Sequence, residues 1–152
     1  MTQKAPLQFG EHEPGVVYRD RHCAFGVAER GGKLAVVRIV KDGEAPYFDL
    51  PGGALDEGED EPTALVREFG EETGLKVRPA GLMCRADQYM TKSDGEKVNN
   101  RSGLYRAGVL GEDPSLKTEA DHELVWLEPE EALKRLRHDS HAWAVACWLR
   151  RP

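Results

Sequence analysis

The chain has 152 residues, with 21 Lys+Arg against 27 Asp+Glu, a formal net charge of −6, 32% charged residues and 39% apolar ones. This is the composition of an ordinary folded domain, long enough to bury most of its unfolded surface without staples. No apolar stretch reaches the roughly 18–20 residues a bilayer demands, so neither a spanning helix nor a membrane partner is expected, and the acidity argues against a protein that holds duplex nucleic acid by neutralising phosphates.

Residues 1–15 are polar, hold Pro6 and Pro14, and read as a loose lead-in before a single domain over 16–152. They contain no apolar run, so no secretory leader is expected. Val16 to Glu29 reads as a strand. Gly31-Gly32 is a turn signal that makes Cys23–Arg30 and Lys33–Val40 a hairpin. Asp42-Gly43 and Pro46 mark a loop, and Tyr47–Leu50 is a short strand stopped by Pro51-Gly52-Gly53. A helix follows, with Pro62 in its first turn, acids at its positive end, Ala64, Leu65 and Phe69 as an apolar side, and Gly74 at its close.

From Leu75 the pattern returns to strand. Gly81–Met90 and Val98–Leu110 flank a Ser93-Asp94-Gly95 turn, and Leu124–Leu127 is another short strand. Pro129–Arg137 and His141–Arg150 read as two further helices, the last too short to span lipid and suited to the core or to a homodimer face. The order implies one α/β domain with a mixed sheet. Cys23, Cys84 and Cys147 are widely spaced with no C-x-x-C pair, which fits reduced thiols in a cytoplasmic protein.

The charge is distributed unevenly. Residues 56–72 hold eight acids (Asp56, Glu57, Glu59, Asp60, Glu61, Glu68, Glu71, Glu72) and one base, Arg67, a balance of −7; the other 135 residues stand at +1. Glu68, Glu71 and Glu72 fall at i, i+3 and i+4 of the helix, so three carboxylates share an arc of roughly 100°. Like charges at that spacing cost a helix a few tenths of a kcal/mol per pair. A divalent cation reverses the sign, and Mg²⁺ or Mn²⁺ takes such oxygen ligands together with substrate phosphates. Gly52-Gly53 lets backbone approach a metal or substrate closely, and a carbonyl there supplies one more oxygen. Two basic stretches, residues 16–41 and 76–106, flank the acidic window and suit phosphates or solvated strand edges.

Gly53 to Leu75 reads G-ALDEG-E-DEPTALV-RE-F-G-EE-T-GL. It resembles the Nudix box, G-x5-E-x7-R-E-U-x-E-E-x-G-U, with U bulky and apolar. Gly53, Glu59, Arg67, Glu68, Glu71, Glu72 and Gly74 all match, and Phe69 stands where an aliphatic residue is commoner. The resemblance implies an α/β/α sandwich and Mg²⁺- or Mn²⁺-dependent hydrolysis of a nucleoside diphosphate linked to another group, a phosphoric-anhydride hydrolase with a nucleotide-type substrate. By position it makes Glu68, Glu71 and Glu72 the metal carboxylates, with the Gly52 carbonyl beside them and Glu68 the better candidate to orient water. It makes Arg67 and Glu59 a brace. A later glutamate, Glu119 in preference to Glu123, is the further ligand. Gly52, Gly53, Glu57 and Tyr89 are candidates to meet the substrate, Tyr89 by stacking on a base as Tyr18 and Phe48 also allow.

The family's proline for ADP-ribose falls near Met90 and is absent; its tyrosine for dinucleoside polyphosphates falls near Thr91–Ser93, out of register with Tyr89. That leaves a nucleoside triphosphate or modified dNTP slightly ahead of dinucleoside polyphosphates, capped RNA or an ADP-sugar. A Nudix domain that binds nucleotide without hydrolysis, and an unrelated metal-buffering module, are the competing classes.

Overall fold

The computed structural model describes residues 5–151. In chain order it comprises β1 (Leu7–Phe9), β2 (Arg19–Arg30), β3 (Lys33–Ile39), β4 (Tyr47–Asp49), β5 (Gly52–Ala54), α1 (Glu61–Thr73), β6 (Leu75–Thr91), β7 (Lys97–Glu112), a 3₁₀ turn at Pro114–Leu116, β8 (His122–Leu127), α2 (Pro129–Arg135) and α3 (Asp139–Leu149). The strands run β1-β6-β7-β2-β3-β4, with β5 added to β2 and β8 to β3. β1–β6 and β2–β7 are parallel and the other pairs antiparallel, so the sheet is mixed.

β2 explains the layering. Its side chains alternate between faces. Cys23, Phe25 and Val27 join Leu34, Val36, Ala132, Leu136, Ala144, Val145 and Trp148 in one core under α2 and α3. Ala24 and Ala28 join Leu65, Phe69, Leu75 and Val77 in the other, under α1. The α1 face of β2 is built of small residues so that the helix can sit close; a Cβ on Gly26 would lie 2.9 Å from the Phe69 ring. The result is the expected α/β/α sandwich. Ala144, Val145 and Trp148 put α3 in the core, while Trp143 and Leu149 on the same helix remain exposed.

The lead-in holds more order than its polarity predicts. Leu7–Phe9 adds a parallel edge strand to Ala86–Gln88. Three residues are too few to carry an alternation signal; they are strand because β6 offers them an edge. β2 begins at Arg19 rather than Val16, α2 stops at Arg135, and α3 starts two residues early, at Asp139.

Candidate active site

α1 carries the acidic face. Asp60 caps it by accepting from the Thr63 N–H at 2.9 Å, and Gly74 closes it at φ +73°. The helix drives Ala64, Leu65 and Phe69 into the core. On the adjoining arc Glu72 is buried, Glu68 nearly so, and Glu71 half-buried.

The start of β5 meets this face. Gly52 has φ +145°, and a Cβ there would collide with the Ala24 carbonyl and the Phe25 backbone. Its N–H donates to Glu72 Oε1 at 2.8 Å. A Cβ on Gly53 would stand 3.0 Å from the Glu68 carboxyl, so Glu68 rests directly against that residue. Glycine at both places is what allows strand backbone and helix carboxylates to touch.

Arg67 organises the rest. Its Nε and Nη2 donate to Glu59 at 2.9 and 2.8 Å, its Nη1 to Glu68 at 2.9 Å and Glu71 at 3.1 Å, and its Nη2 also to the Ala54 carbonyl at 3.1 Å. The brace expected between Arg67 and Glu59 is present, and it reaches two of the three face carboxylates as well. These contacts hold Glu59 well below the usual carboxylate range, near 2, chiefly through the Arg67 hydrogen bonds. Glu68 goes the other way, to about 7. Burial is the main cause and the neighbouring Glu72 charge the second, with Arg67 opposing both. Glu72 is also raised by burial, against hydrogen bonds from His122 and the Gly52 N–H.

The far side is supplied by the loop entering β8. The Thr118 and Glu119 N–H groups donate to the Glu71 carbonyl at 2.9 and 3.0 Å, which staples the loop to the end of α1. Ligand atoms of Glu119, Asp121 and His122 lie within 4.8 Å of one another. His122 Nε2 stands 3.1 Å from Glu72 Oε2 and Nδ1 2.7 Å from Asp121. Burial lowers the pKa of this imidazole, but the two carboxylates outweigh it and raise it to about 9.

Beside the carboxylates lies a cleft of about 190 Å³, lined in part by Gly52, Gly53, Glu72 and His122 and by four basic residues, Arg21, Lys41, Lys92 and Arg137. Three of the four are committed to acids: Lys41 to Asp121 at 2.6 Å, Lys92 to Glu96 at 3.1 Å, and Arg137 to Asp49 at 2.8 Å. Arg21 bonds only neutral atoms among the described residues, Asn100 Oδ1 at 3.2 Å and the Cys23 sulfur. His138 and His141 also line the cleft. Burial keeps both neutral, near 3. His141 Nδ1 accepts the Leu50 N–H at 3.0 Å, so its proton resides on Nε2.

Gly52, Gly53, Glu59, Arg67, Glu68, Glu71 and Glu72 are thus brought together, and Glu119 reaches the same region from the β8 loop. Tyr89 is not: its ring packs on Tyr18 at 4.8 Å and His12 at 5.1 Å, and its neighbour Met90 lines the cleft instead. Successive strand residues point to opposite faces, so a one-position difference decides the matter. Glu57 is exposed on the loop and outside the cleft lining. The sequence alone does not single out His122, His138, His141, Asp49 or Arg137. Their partners lie far away in the chain, and only the Asp121-His122 neighbourhood of Glu119 gave a local hint.

The NUDIX domain family profile matches residues 17–149. The chain belongs to the NUDIX family. It is a Nudix hydrolase, an enzyme of phosphoric anhydrides. It is 29% identical over 106 residues to an RNA pyrophosphohydrolase of Dinoroseobacter shibae, covering 60% of this chain and 66% of the relative. It is 30% identical over 142 residues to an 8-oxo-(d)GTP phosphatase of Mycolicibacterium smegmatis, covering 90% of this chain and 40% of that protein. A NUDIX hydrolase structure from Nitrosomonas europaea superposes with a TM-score of 0.73 at 22% identity, over 86% of this chain and 89% of that one, which speaks for the fold. No helix among the described residues of this Nudix hydrolase is long and apolar enough to cross a membrane.

Proposed function

We propose that this Nudix hydrolase cleaves a single nucleotide, a nucleoside triphosphate or modified dNTP, with Mg²⁺ or Mn²⁺. One observation carries the reading: Glu68, Glu71 and Glu72 share one helix face beside Gly52 and Gly53 of β5, at the edge of a cleft lined with basic side chains. The residues fit a hard divalent cation. Arg67 engages only Oε1 of Glu68 and Oε2 of Glu71, leaving the other oxygen of each to a ligand. Burial, and after it the neighbouring Glu72 charge, raises Glu68, and a cation bound there would offset both. Glu68, Glu71, Glu72, the Gly52 carbonyl and Glu119 would hold it. When bound, it neutralises phosphate charge and acidifies water.

The chain's own residues then divide the work. Glu68, with the oxygen that Arg67 leaves clear, orients the attacking water and takes its proton. Arg67 and Glu59 keep the Glu68 rotamer fixed. Arg21, with no carboxylate partner among the described residues, meets the substrate's phosphates, and Gly52 and Gly53 let them come close to backbone. His138 and His141, neutral at the cleft wall, face the nucleoside.

The relatives named 8-oxo-(d)GTP phosphatase and RNA pyrophosphohydrolase keep both a modified dNTP and a capped or triphosphorylated RNA in the test set. A cytoplasmic location is part of the proposal and accords with three unbridged cysteines. The experiment is a screen of dNTPs, 8-oxo-dGTP, dinucleoside polyphosphates, ADP-sugars and 5′-triphosphorylated RNA with Mg²⁺ or Mn²⁺, reading phosphate against pyrophosphate release. Binding of nucleotides with no turnover on any of them would turn the reading to a non-catalytic binding domain.

A further inference from the structure

The second cavity of note lies at the opposite end of α3 from the cleft. His138 and His141, at the start of α3, line the cleft; Cys147, Arg150 and Arg151, at its end, line an open cavity of about 310 Å³ together with Arg106 and the β6 segment Ala80–Met83. The eleven residues of α3 set the two cavities about 16 Å apart at 1.5 Å per residue.

No acidic residue lines this cavity, yet three arginines do. Among the described residues none of the three has a carboxylate within ion-pair distance, whereas Arg19, Arg30, Arg67, Arg85, Arg101, Arg135 and Arg137 are all paired. Cations are favourable at a helix C-terminus, which accounts for Arg150 and Arg151 in part; Arg151 donates to the Trp148 carbonyl at 2.9 Å and lies over its ring. It does not account for Arg106. That residue comes from β7, is half-buried, and its Nε is buried without a hydrogen-bond partner. A guanidinium has only donors, so only an acceptor can complete it.

The backbone is also irregular here. The β6–β7 register shifts between Pro79 and Leu82 and again between Leu82 and Cys84, with Gly81 at φ +119°. The bulge draws β6 aside at the cavity wall, as bulges do beside sites.

We propose that Arg106, Arg150 and Arg151 form a second, non-catalytic site for a phosphate group, either inorganic phosphate or a phosphomonoester. Three arginines and no acid line one open cavity, the forked N–H pairs of a guanidinium match phosphate oxygens, and the Arg106 guanidinium is left without a partner for its Nε. The site stands apart from the carboxylate face and does not depend on the reaction assigned to it.

The test uses the full chain in EDTA, so that the carboxylate face carries no metal and repels anions. Inorganic phosphate is titrated while the arginine Nε–Hε resonances are followed by ¹⁵N NMR, the Arg106 signal being identified by its loss in Arg106→Lys. A saturable shift of that signal, absent with sodium chloride at matched ionic strength, is expected. The exposed pair Arg150→Gln/Arg151→Gln, checked for an unchanged Tm, should weaken it by about tenfold or more as two charge-assisted contacts are lost. Adenosine monophosphate reproduces the shift if the ligand is a phosphomonoester and fails to if it is free phosphate. A linear shift equalled by chloride, or shifts confined to Arg21 and the cleft, would overturn the proposal.

Discussion

His122 Nε2 lies 3.1 Å from Glu72 Oε2, which joins the loop into β8 to the carboxylate face of α1. Glu72 spends its other oxygen on the Gly52 N–H. It is therefore the most committed of the three face carboxylates, while Glu68 and Glu71 each keep an oxygen clear of Arg67. The site is a pair of clamps, Arg67 on one flank and His122 on the other.

The His122 clamp has a pH signature. Its folded pKa is raised from 6.5 to about 9, burial being outweighed by Glu72 and Asp121. A raised histidine contributes stability that is complete below the unfolded value and is lost as pH climbs through the folded one. Metal-free protein should thus lose stability between about pH 6.5 and pH 9, and His122→Gln should flatten that slope. Urea denaturation across the range measures it; equal slopes in the two proteins would refute the pairing.

Arg67 is the more costly clamp to remove. Arg67→Ala leaves Glu59, Glu68 and Glu71 facing one another without their shared donor. The loss should be roughly 1.5–3 kcal/mol, the range for hydrogen bonds to charged groups. Activity should fall in kcat, because Glu68 loses its fixed rotamer. Denaturant titration and steady-state kinetics check both, and a variant of wild-type stability would remove the bracing role.

Glu68 predicts how metal affinity follows pH. Its pKa near 7 means that proton and cation compete there. Below about pH 7 the apparent affinity for Mn²⁺ should drop by up to tenfold per unit, because the ligand must be deprotonated. Calorimetric titration from pH 8 down to pH 5.5 at about half-unit steps reads it. A flat profile would mean that Glu68 does not bind the ion.

Metal should also stabilise the fold. If the acidic window at residues 56–72 binds a cation in the native state only, that cation adds about 2.7 kcal/mol at a hundredfold excess over Kd. An unchanged Tm in millimolar Mg²⁺ or Mn²⁺ would contradict this.

Much of this was legible before any coordinates. Glu68, Glu71 and Glu72 lie close in sequence, and helical periodicity alone places them on one arc; Arg67 and Glu59 belong to the same short stretch. The α1 caps, Asp60 and Gly74, and the β2–β3 hairpin at Gly31-Gly32 are equally local. What escaped is non-local. β1 exists only because β6 presents an edge to it. His122 meets Glu72 across fifty residues, His141 meets the Leu50 N–H across ninety-one, and Arg137 meets Asp49 across eighty-eight. Tyr89 shows the other limit: its place in the sequence offers an aromatic near the site, but strand parity packs it on Tyr18 and gives the cleft Met90.

The proposed function has the α1 carboxylates act through a divalent cation on a phosphoric anhydride. Its most direct test is turnover of the best nucleotide from the substrate screen by wild type and Glu68→Gln, each with Mg²⁺ and with excess EDTA, circular dichroism confirming the fold of the variant. Turnover is expected from wild type with metal only, with a fall of about 10²–10⁴-fold in kcat for the variant, the range for losing a general base. Equal rates in EDTA, or wild-type kcat in Glu68→Gln, would contradict it.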